Sequence, residues 1–391
     1  MILAICLIAF CKELAGVLVN GDAPNLTIAL AVLAFYLLDF SINAVMASCR
    51  ALIVDIAPHQ QQGLANAWAG RMIGIGNVAG YFMGYLDLSH WFPGLDLSQL
   101  QVLCIFAIIW FVATIGLTAV YSKETEYHPI IFTPSLSAYQ SIAKVFGHMR
   151  DLPVEIQEIC NVQFCAWLGW FPFLFYCSSW VASVALLESP DADPTDSVRS
   201  GSFALLLFAI MSLVTGFVLP YIHSITPYPL TKLWAYSFVA FACLLFASFF
   251  ATSLSFGYFV TAAIGVCWGL AIWIPFALIG EIISASEASV DIVSEVEPDM
   301  NQGDDSIVPA IRSLTQPLES GIILGIHNVY IVLPQFVSTF ACSAVFTIVS
   351  FAGFTGENSA FSCIMLLSSL AAVFASVLAF NLTDETDYKS L

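Results

Sequence analysis

Residues 36–57, YLLDFSINAVMASCRALIVDIA, are apolar enough to cross a bilayer, yet Asp39, Asn43 and Arg50 interrupt the run and Asp55 lies near its end. An α-helix turns about 100° per residue, so Asp39, Asn43 and Arg50 would lie along one face. An ion at mid-bilayer costs on the order of 3 kcal/mol on insertion scales. A stripe that faces a water-filled cavity avoids this cost, which predicts a pathway for a proton and a polar solute. The alternative is an ion pair that locks helices together.

Each residue of the stripe suits a different part of that chemistry. Dehydration favours the neutral acid of Asp39 and a nearby cation favours its carboxylate, so this group is a candidate proton carrier. The Arg50 guanidinium can supply the cation and can donate paired hydrogen bonds to hydroxyl oxygens, with Asn43 beside it. Eleven residues of helix separate Asp39 and Arg50 by about 16 Å, so a substrate or a water chain would have to link them.

A second acid interrupts the first apolar stretch. Lys12 and Glu13 are adjacent in the sequence CKEL, and neighbouring helix positions point about 100° apart. At least one of the two must therefore face the protein interior. Glu13 is a second candidate proton site.

Aromatic residues offer candidate surfaces for a ring-shaped solute. Trp167 and Trp170 lie in QFCAWLGWFPFLFYCSSWVASV (163–184), and Trp273 lies in CWGLAIWIPFALIGEI (267–282). Pro172 and Pro275 interrupt helix hydrogen bonding, and broken helices often line transporter sites. Sugar stacking on the indole faces is one interpretation, and anchoring at the lipid interface is the other.

The composition identifies the environment in which these residues act. Hydrophobic residues make up 59% of the 391 and charged residues only 10%, against about 25% in soluble domains. We expect an all-α integral membrane protein, neither an enzyme nor a nucleic-acid-binding protein, without a metal site or cofactor. The eleven Cys lie mostly in apolar runs, as small hydrophobic residues do. Ten spanning helices are predicted near 1–20, 26–54, 64–86, 100–121, 157–185, 201–222, 230–254, 257–283, 319–346 and 358–380.

An internal repeat organises these spans. ALIVDI (51–56) in the second span matches ALIGEI (277–282) in the eighth, so that Asp55 corresponds to Glu281. GIGNV in the third span matches GIHNV in the ninth, so that Asn77 corresponds to Asn328, and both are candidate substrate-binding or gating residues. Both matches are six helices apart, which predicts two six-helix halves of the major facilitator type. The second half has six spans and the first has four, so we expect two further helices before Met1.

The repeat and the loop charges predict the domain organisation and the topology. We expect an N-terminal bundle at 1–121, a central loop at 122–156 and a C-terminal bundle at 157–391. The loop and terminal cations fall on one side of the membrane, with Arg199 alone on the other. Basic loops stay in the cytoplasm, which places loop 122–156, the acidic loop 284–318 and the C-terminus there. The cations on that side are Lys123, Lys144, Arg150, Lys232, Arg312 and Lys389.

Several motifs together resemble the glycoside–pentoside–hexuronide:cation symporters, in particular the sucrose and α-glucoside proton symporters of plants and fungi. They are LLDFSINAVMASCRALIVDIAPHQQQGLANAW, GRMIGIGNVAGYFMG, WLGWFPFLFY, IPFALIGEI and GIHNVYIVLPQ. The resemblance implies proton-coupled uptake of a disaccharide by alternating access. It implies coupling through Asp39 and Arg50, Asn43 in the same fourth-helix motif, and Glu281 as the tenth-helix acid.

The sequence departs from that family in two places. Ala182 and Ser183 stand where relatives carry Gly-Glu or a charged cluster, and the first two helices of the family pattern are absent. A non-transporting sugar sensor and a symporter of another small solute are the alternative interpretations. The resemblance implies a monomer in the plasma membrane, with the vacuolar membrane as the alternative. Its partners would be a disaccharide, a proton and the lipid bilayer.

Overall fold

A computed structural model describes the helical framework of the chain. The predicted all-α fold is confirmed, since every regular element among the described residues is helical. Contacts divide the chain into two compact units, Met1–Phe132 and Thr133–Leu391. The described residues are 1–56, 62–88, 97–122, 147, 149, 152–191, 194–226, 228–283, 320–353 and 357–382.

The first unit contains five helices and the second contains seven among the residues described. In the first unit these are α1 (Ile2–Ala9), α2 (Cys11–Val19), α3 (Pro24–Ile56), α4 (Gln62–Tyr85) and α5 (Gln99–Tyr121). In the second unit they are α6 (Val154–Glu188), α7 (Pro194–Ile225), α8 (Leu230–Ser248), α9 (Leu254–Ala271), α10 (274–283), α11 (Ser320–Phe351) and α12 (Glu357–Phe380).

Eight stretches of the described chain are helical, long and apolar enough to cross a membrane, and α1 with α2 can make a ninth as one bent span. The chain is therefore an integral multi-pass membrane protein. The predicted span at 64–86 forms α4, which is not among these candidates. The count of ten stays a prediction. The loops 122–156 and 284–318 and the C-terminal tail lie largely outside the described residues.

Local chemistry accounts for several helix ends. Ser98 accepts a hydrogen bond from the Gln101 backbone N–H while the Gln101 side chain accepts one from the Ser98 N–H, a capping box that begins α5. Asn20 ends α2 in the left-handed conformation, at φ 54°.

Between α1 and α2 the chain bends by 70° at Phe10. The first span is thus interrupted before Lys12 and Glu13, not at them.

The two prolines on which the sequence analysis relied behave differently. Pro172 lies inside α6, which continues through it without a break. Near Pro275 the helix stops at Ala271, passes through Ile272 and Trp273 as a turn, and restarts as α10. Pro275 has no N–H for the Ala271 carbonyl, so the regular hydrogen bonding lapses at this position. The predicted interruption is therefore present in the 254–283 span and absent from α6.

Glycines allow α9 to pack directly on α7. A Cβ atom at Gly269 would lie 2.8 Å from the Thr215 Cβ and 2.9 Å from the Ser212 carbonyl oxygen. A Cβ at Gly265, one turn earlier, would overlap the carbonyl oxygen of Phe208. Small residues four apart let two backbones approach closely in a membrane, where no hydrophobic effect drives helices together. This contact is the tightest constraint on the α7–α9 pair.

Candidate functional site

The candidate pathway residues of the first unit lie on one continuous helix. α3 runs without interruption from Pro24 to Ile56, so the predicted angular relation between Asp39 and Asn43 applies. Both side chains are exposed within their unit. The Asn43 amide donates a hydrogen bond of 2.9 Å to the Asp39 backbone carbonyl, which places the two residues one above the other. Positions 50 and 55 are helical, but the side chains of Arg50 and Asp55 lie outside the described part of the chain.

Polar side chains of α3 bond to their own helix. The Ser41 hydroxyl donates to the Leu37 carbonyl at 2.6 Å, and the Ser48 hydroxyl donates to the Ala44 carbonyl at 2.9 Å. The Asp39 carboxylate differs, since it makes no hydrogen bond or ion pair with another described side chain.

Glu13 has a defined partner. The Gln101 side-chain nitrogen donates to a Glu13 carboxylate oxygen at 2.8 Å, and Gln101 itself is only 6% exposed. The capping box occupies the Gln101 oxygen, so the amide can offer Glu13 only N–H groups. A donor and the positive N-terminus of α5 both suit a carboxylate anion. Glu13 thus has a hydrogen-bond partner within its unit, whereas the Asp39 carboxylate has none among the described side chains, which makes Asp39 the stronger candidate for proton exchange.

Gln101 has two roles: it completes the capping box of α5 and it donates a hydrogen bond to Glu13. Exchanging the Glu13 and Gln101 side chains in two steps should separate them. Gln101→Glu keeps the capping box, because Glu serves at that position as well as Gln, but it places two carboxylates together. We expect it to lower thermal stability, since a hydrogen bond to a charged group contributes about 1.5–3 kcal/mol. Adding Glu13→Gln should restore stability, as measured by thermal unfolding of the detergent-solubilised protein. Equal stability of Gln101→Glu and the unaltered protein would contradict the contact.

Trp167, Trp170 and Trp268 of the second unit form a cluster, and Trp268 was not among the predicted site residues. Trp268 lies edge-on to Trp167, with ring centroids 5.7 Å apart, and edge-on to Trp170 at 4.9 Å. Trp170 is 1% exposed, and one ring face stacks on Phe241 at 3.8 Å. Its position favours packing over sugar contact in this conformation. Trp167 and Trp268 are only partly buried, so their indole surfaces remain candidates for ring stacking.

The remaining predicted site residues are spread over three helices. Trp273 lies at the break between α9 and α10, partly buried, with its ring 6.0 Å from that of His223. Asn77 on α4, Asn328 on α11 and Glu281 on α10 are exposed within their own units. No hydrogen bond to these three side chains is recorded among the described residues. Likewise, no group of three potential metal ligands occurs in the described ranges.

One buried polar pair in the second unit was not predicted. The Gln163 amide lies 3.1 Å from a ring nitrogen of His327, although 164 positions separate the two residues along the chain. His327 is 1% exposed and Gln163 is 3% exposed. The sequence offered a signal, because His327 interrupts the apolar residues of the GIHNV repeat. In the repeat, Asn328 matches Asn77, whereas His327 stands where GIGNV has Gly76. The repeat pattern therefore identifies the asparagine and not the histidine.

Comparisons with known proteins agree with the resemblance in the sequence. A family model described as the Major Facilitator Superfamily matches residues 1–290. The general alpha-glucoside permease of Schizosaccharomyces pombe is 44% identical over 223 residues, covering 55% of this chain and 39% of the permease. The sucrose transport protein SUT3 of Oryza sativa subsp. japonica is 29% identical over 203 residues, 48% of this chain and 40% of that protein. The matches thus span about two fifths of the curated relatives' length.

A solved structure shares the overall architecture. A variant of the fucose:proton symporter of Escherichia coli superposes with a TM-score of 0.54 at 12% sequence identity, covering 98% of this chain and 83% of that one. At this identity the likeness shows the fold alone.

Proposed function

The chain belongs to the Major Facilitator Superfamily, and from this premise we propose that it is a proton-coupled symporter of sucrose, maltose or a related α-glucoside. The observation that carries the proposal is the exposed polar surface of α3, where Asp39 and Asn43 lie one helical turn apart. The printed names of the relatives, an alpha-glucoside permease and a sucrose transport protein, support a disaccharide as the solute.

The mechanism assigns each polar group a step in alternating access. Asp39 binds the proton, because its carboxylate is exposed in its unit and makes no hydrogen bond or ion pair with another described side chain. Asn43 and Arg50 bind or gate the sugar through hydroxyl contacts. Trp167, Trp268 and Trp273 supply apolar surface for the sugar ring. Alternating access then carries the bound sugar and proton across the membrane.

The topology and the environment complete the proposal. Loop 122–156, loop 284–318 and the C-terminus lie in the cytoplasm, as their cations indicate. The protein works as a monomer in the plasma membrane, and its partners are the disaccharide, the proton and the lipid.

Uptake of a labelled disaccharide tests the proposal directly. Cells that express the protein should accumulate the sugar and make an unbuffered external medium more alkaline on its addition. Uptake without alkalinisation of the medium would contradict proton coupling. Sugar binding without uptake would favour a non-transporting sugar sensor. Uptake of another solute, without uptake of a disaccharide, would show that the protein is a symporter of that other solute.

A further inference from the structure

The buried pair of His327 and Gln163 joins two helices that are distant in sequence. Gln163 lies on α6 and His327 on α11, and their side-chain nitrogens are 3.1 Å apart. A donor and an acceptor that are both almost fully buried stabilise each other, whereas either alone would be costly in an apolar core. Among the described residues, the contact is one of three hydrogen bonds that join α11 to α6, together with those of Gln157 to Tyr330 and of Ser338 to the Leu168 carbonyl, and it is the most deeply buried of them.

His327 also contacts the half-helix that follows the break at Ile272 and Trp273. The Phe276 ring on α10 lies edge-on to the imidazole, with centroids 5.1 Å apart and an interplanar angle of 82°. One side chain thus touches α6 through Gln163 and α10 through Phe276. Backbone hydrogen bonds from Ile272 to Trp268 and from Trp273 to Leu270 persist, but Pro275 has no N–H to continue the series, so side-chain contacts contribute more to the position of α10.

Residues with a proposed role in sugar contact lie next to this junction. Trp167 is one helical turn beyond Gln163, and Trp273 is three residues before Phe276. A shift of α10 relative to α6 would change the separation of the two indole surfaces. No described carboxylate or cation pairs with the imidazole, and its hydrogen-bond and ring contacts among the described residues are with the neutral Gln163 amide and the Phe276 ring.

We propose that His327 is a positioning residue for sugar binding, which holds α10 and α11 against α6 and thereby sets the spacing of Trp167 and Trp273. The proposal rests on the proposed transport of a disaccharide. Gln163 acts with it as the hydrogen-bond partner, and Phe276 acts as the contact from α10. The imidazole itself need not touch the sugar.

Graded substitutions at His327 separate its two contacts. His327→Ala removes both, His327→Gln keeps a hydrogen-bonding side chain for Gln163, and His327→Phe keeps a ring for Phe276. Thr339→Ala serves as the matched control, because Thr339 lies on the same helix and, among the described residues, its hydroxyl bonds only to the Gln335 carbonyl of that helix. The first readout is hydrogen exchange of residues 272–283 in the purified protein, which needs no transport.

We expect His327→Ala to speed exchange in this segment on the order of tenfold, since local opening depends on the contacts that hold a segment. It should also raise the KM for disaccharide uptake about tenfold with a smaller effect on Vmax, and His327→Gln should recover part of both losses. Thr339→Ala should change neither. Unaltered exchange in His327→Ala would overturn the proposal, as would faster exchange with an unchanged KM. Failure of the transport proposal is distinguishable, because the unaltered protein would then carry no disaccharide.

Discussion

Asp39→Asn is expected to abolish uphill uptake of the disaccharide while leaving the protein folded. A proton gradient of one pH unit can drive about tenfold accumulation at one proton per sugar, because 1.4 kcal/mol corresponds to a factor of ten. An amide cannot carry the proton, so the accumulation ratio should fall to about one and external alkalinisation should cease. The fold should tolerate the change, since the Asn43 hydrogen bond goes to the Asp39 backbone and not to its carboxylate.

The control for this experiment is another exposed acid of the first unit. Asp22 lies in the turn between α2 and α3, outside the apolar stretches, so Asp22→Asn should leave accumulation unchanged. Exchange of labelled for unlabelled sugar across the membrane should persist in Asp39→Asn, which separates lost coupling from lost binding. Uphill uptake by Asp39→Asn would remove Asp39 from proton coupling and return Glu13 to first consideration.

The second large effect concerns the α7–α9 contact. Replacing Gly by Ala should lower stability at this contact but raise it at an open position of α7. Ala is favoured over Gly by about 1 kcal/mol in a helix, so Gly216→Ala should stabilise the protein, because a Cβ there would meet nothing within 4 Å. At Gly269 the same methyl group would meet Thr215 at 2.8 Å, and overpacking costs about 1–3 kcal/mol. Gly269→Ala should therefore lower the unfolding temperature, and Gly269→Leu should lower it further.

Thermal unfolding in detergent, followed by the loss of the monomeric peak in size-exclusion chromatography, measures both variants under the same conditions. Gly280→Ala on α10 provides a further open position of the second unit for comparison. A Gly269→Ala protein as stable as Gly216→Ala would show that the two helices can separate at no cost. The close approach would then not constrain the second unit.

Glycine spacing shows how far the sequence could predict packing. Gly76, Gly80 and Gly84 lie four residues apart on α4, and this pattern predicts a close helix contact. Nothing described lies within 4 Å of a Cβ at Gly76 or Gly80, whereas Gly265 and Gly269, with the same spacing, meet α7. Periodicity shows that small residues share a face of a helix. It does not identify the neighbour on that face, which depends on the whole arrangement.

Most of the helices were predictable, because eight of the described stretches are apolar runs long enough to cross a bilayer. The bend at Phe10 was not, since neither Pro nor Gly marks it. At the candidate site, helical geometry correctly placed Asn43 beside Asp39. It could not find the Glu13–Gln101 and Gln163–His327 pairs, which join residues 88 and 164 positions apart. Such pairs depend on how helices are assembled, which no local pattern records.

The hydroxyl and amide groups of α3 also have a consequence for biogenesis. Ser41, Asn43 and Ser48 donate their hydrogen bonds to carbonyls of their own helix, so these groups need no neighbouring helix to satisfy them. In the two-stage view of membrane protein assembly, a helix first enters lipid alone and only then finds its neighbours. Among the described side chains of α3, Asp39 is the only acidic one, and it must enter the lipid in this first stage. Within the candidate span Pro24–Met46 the sequence has one charged residue, Asp39, so Asp39→Asn should make this span insert more readily than the native one.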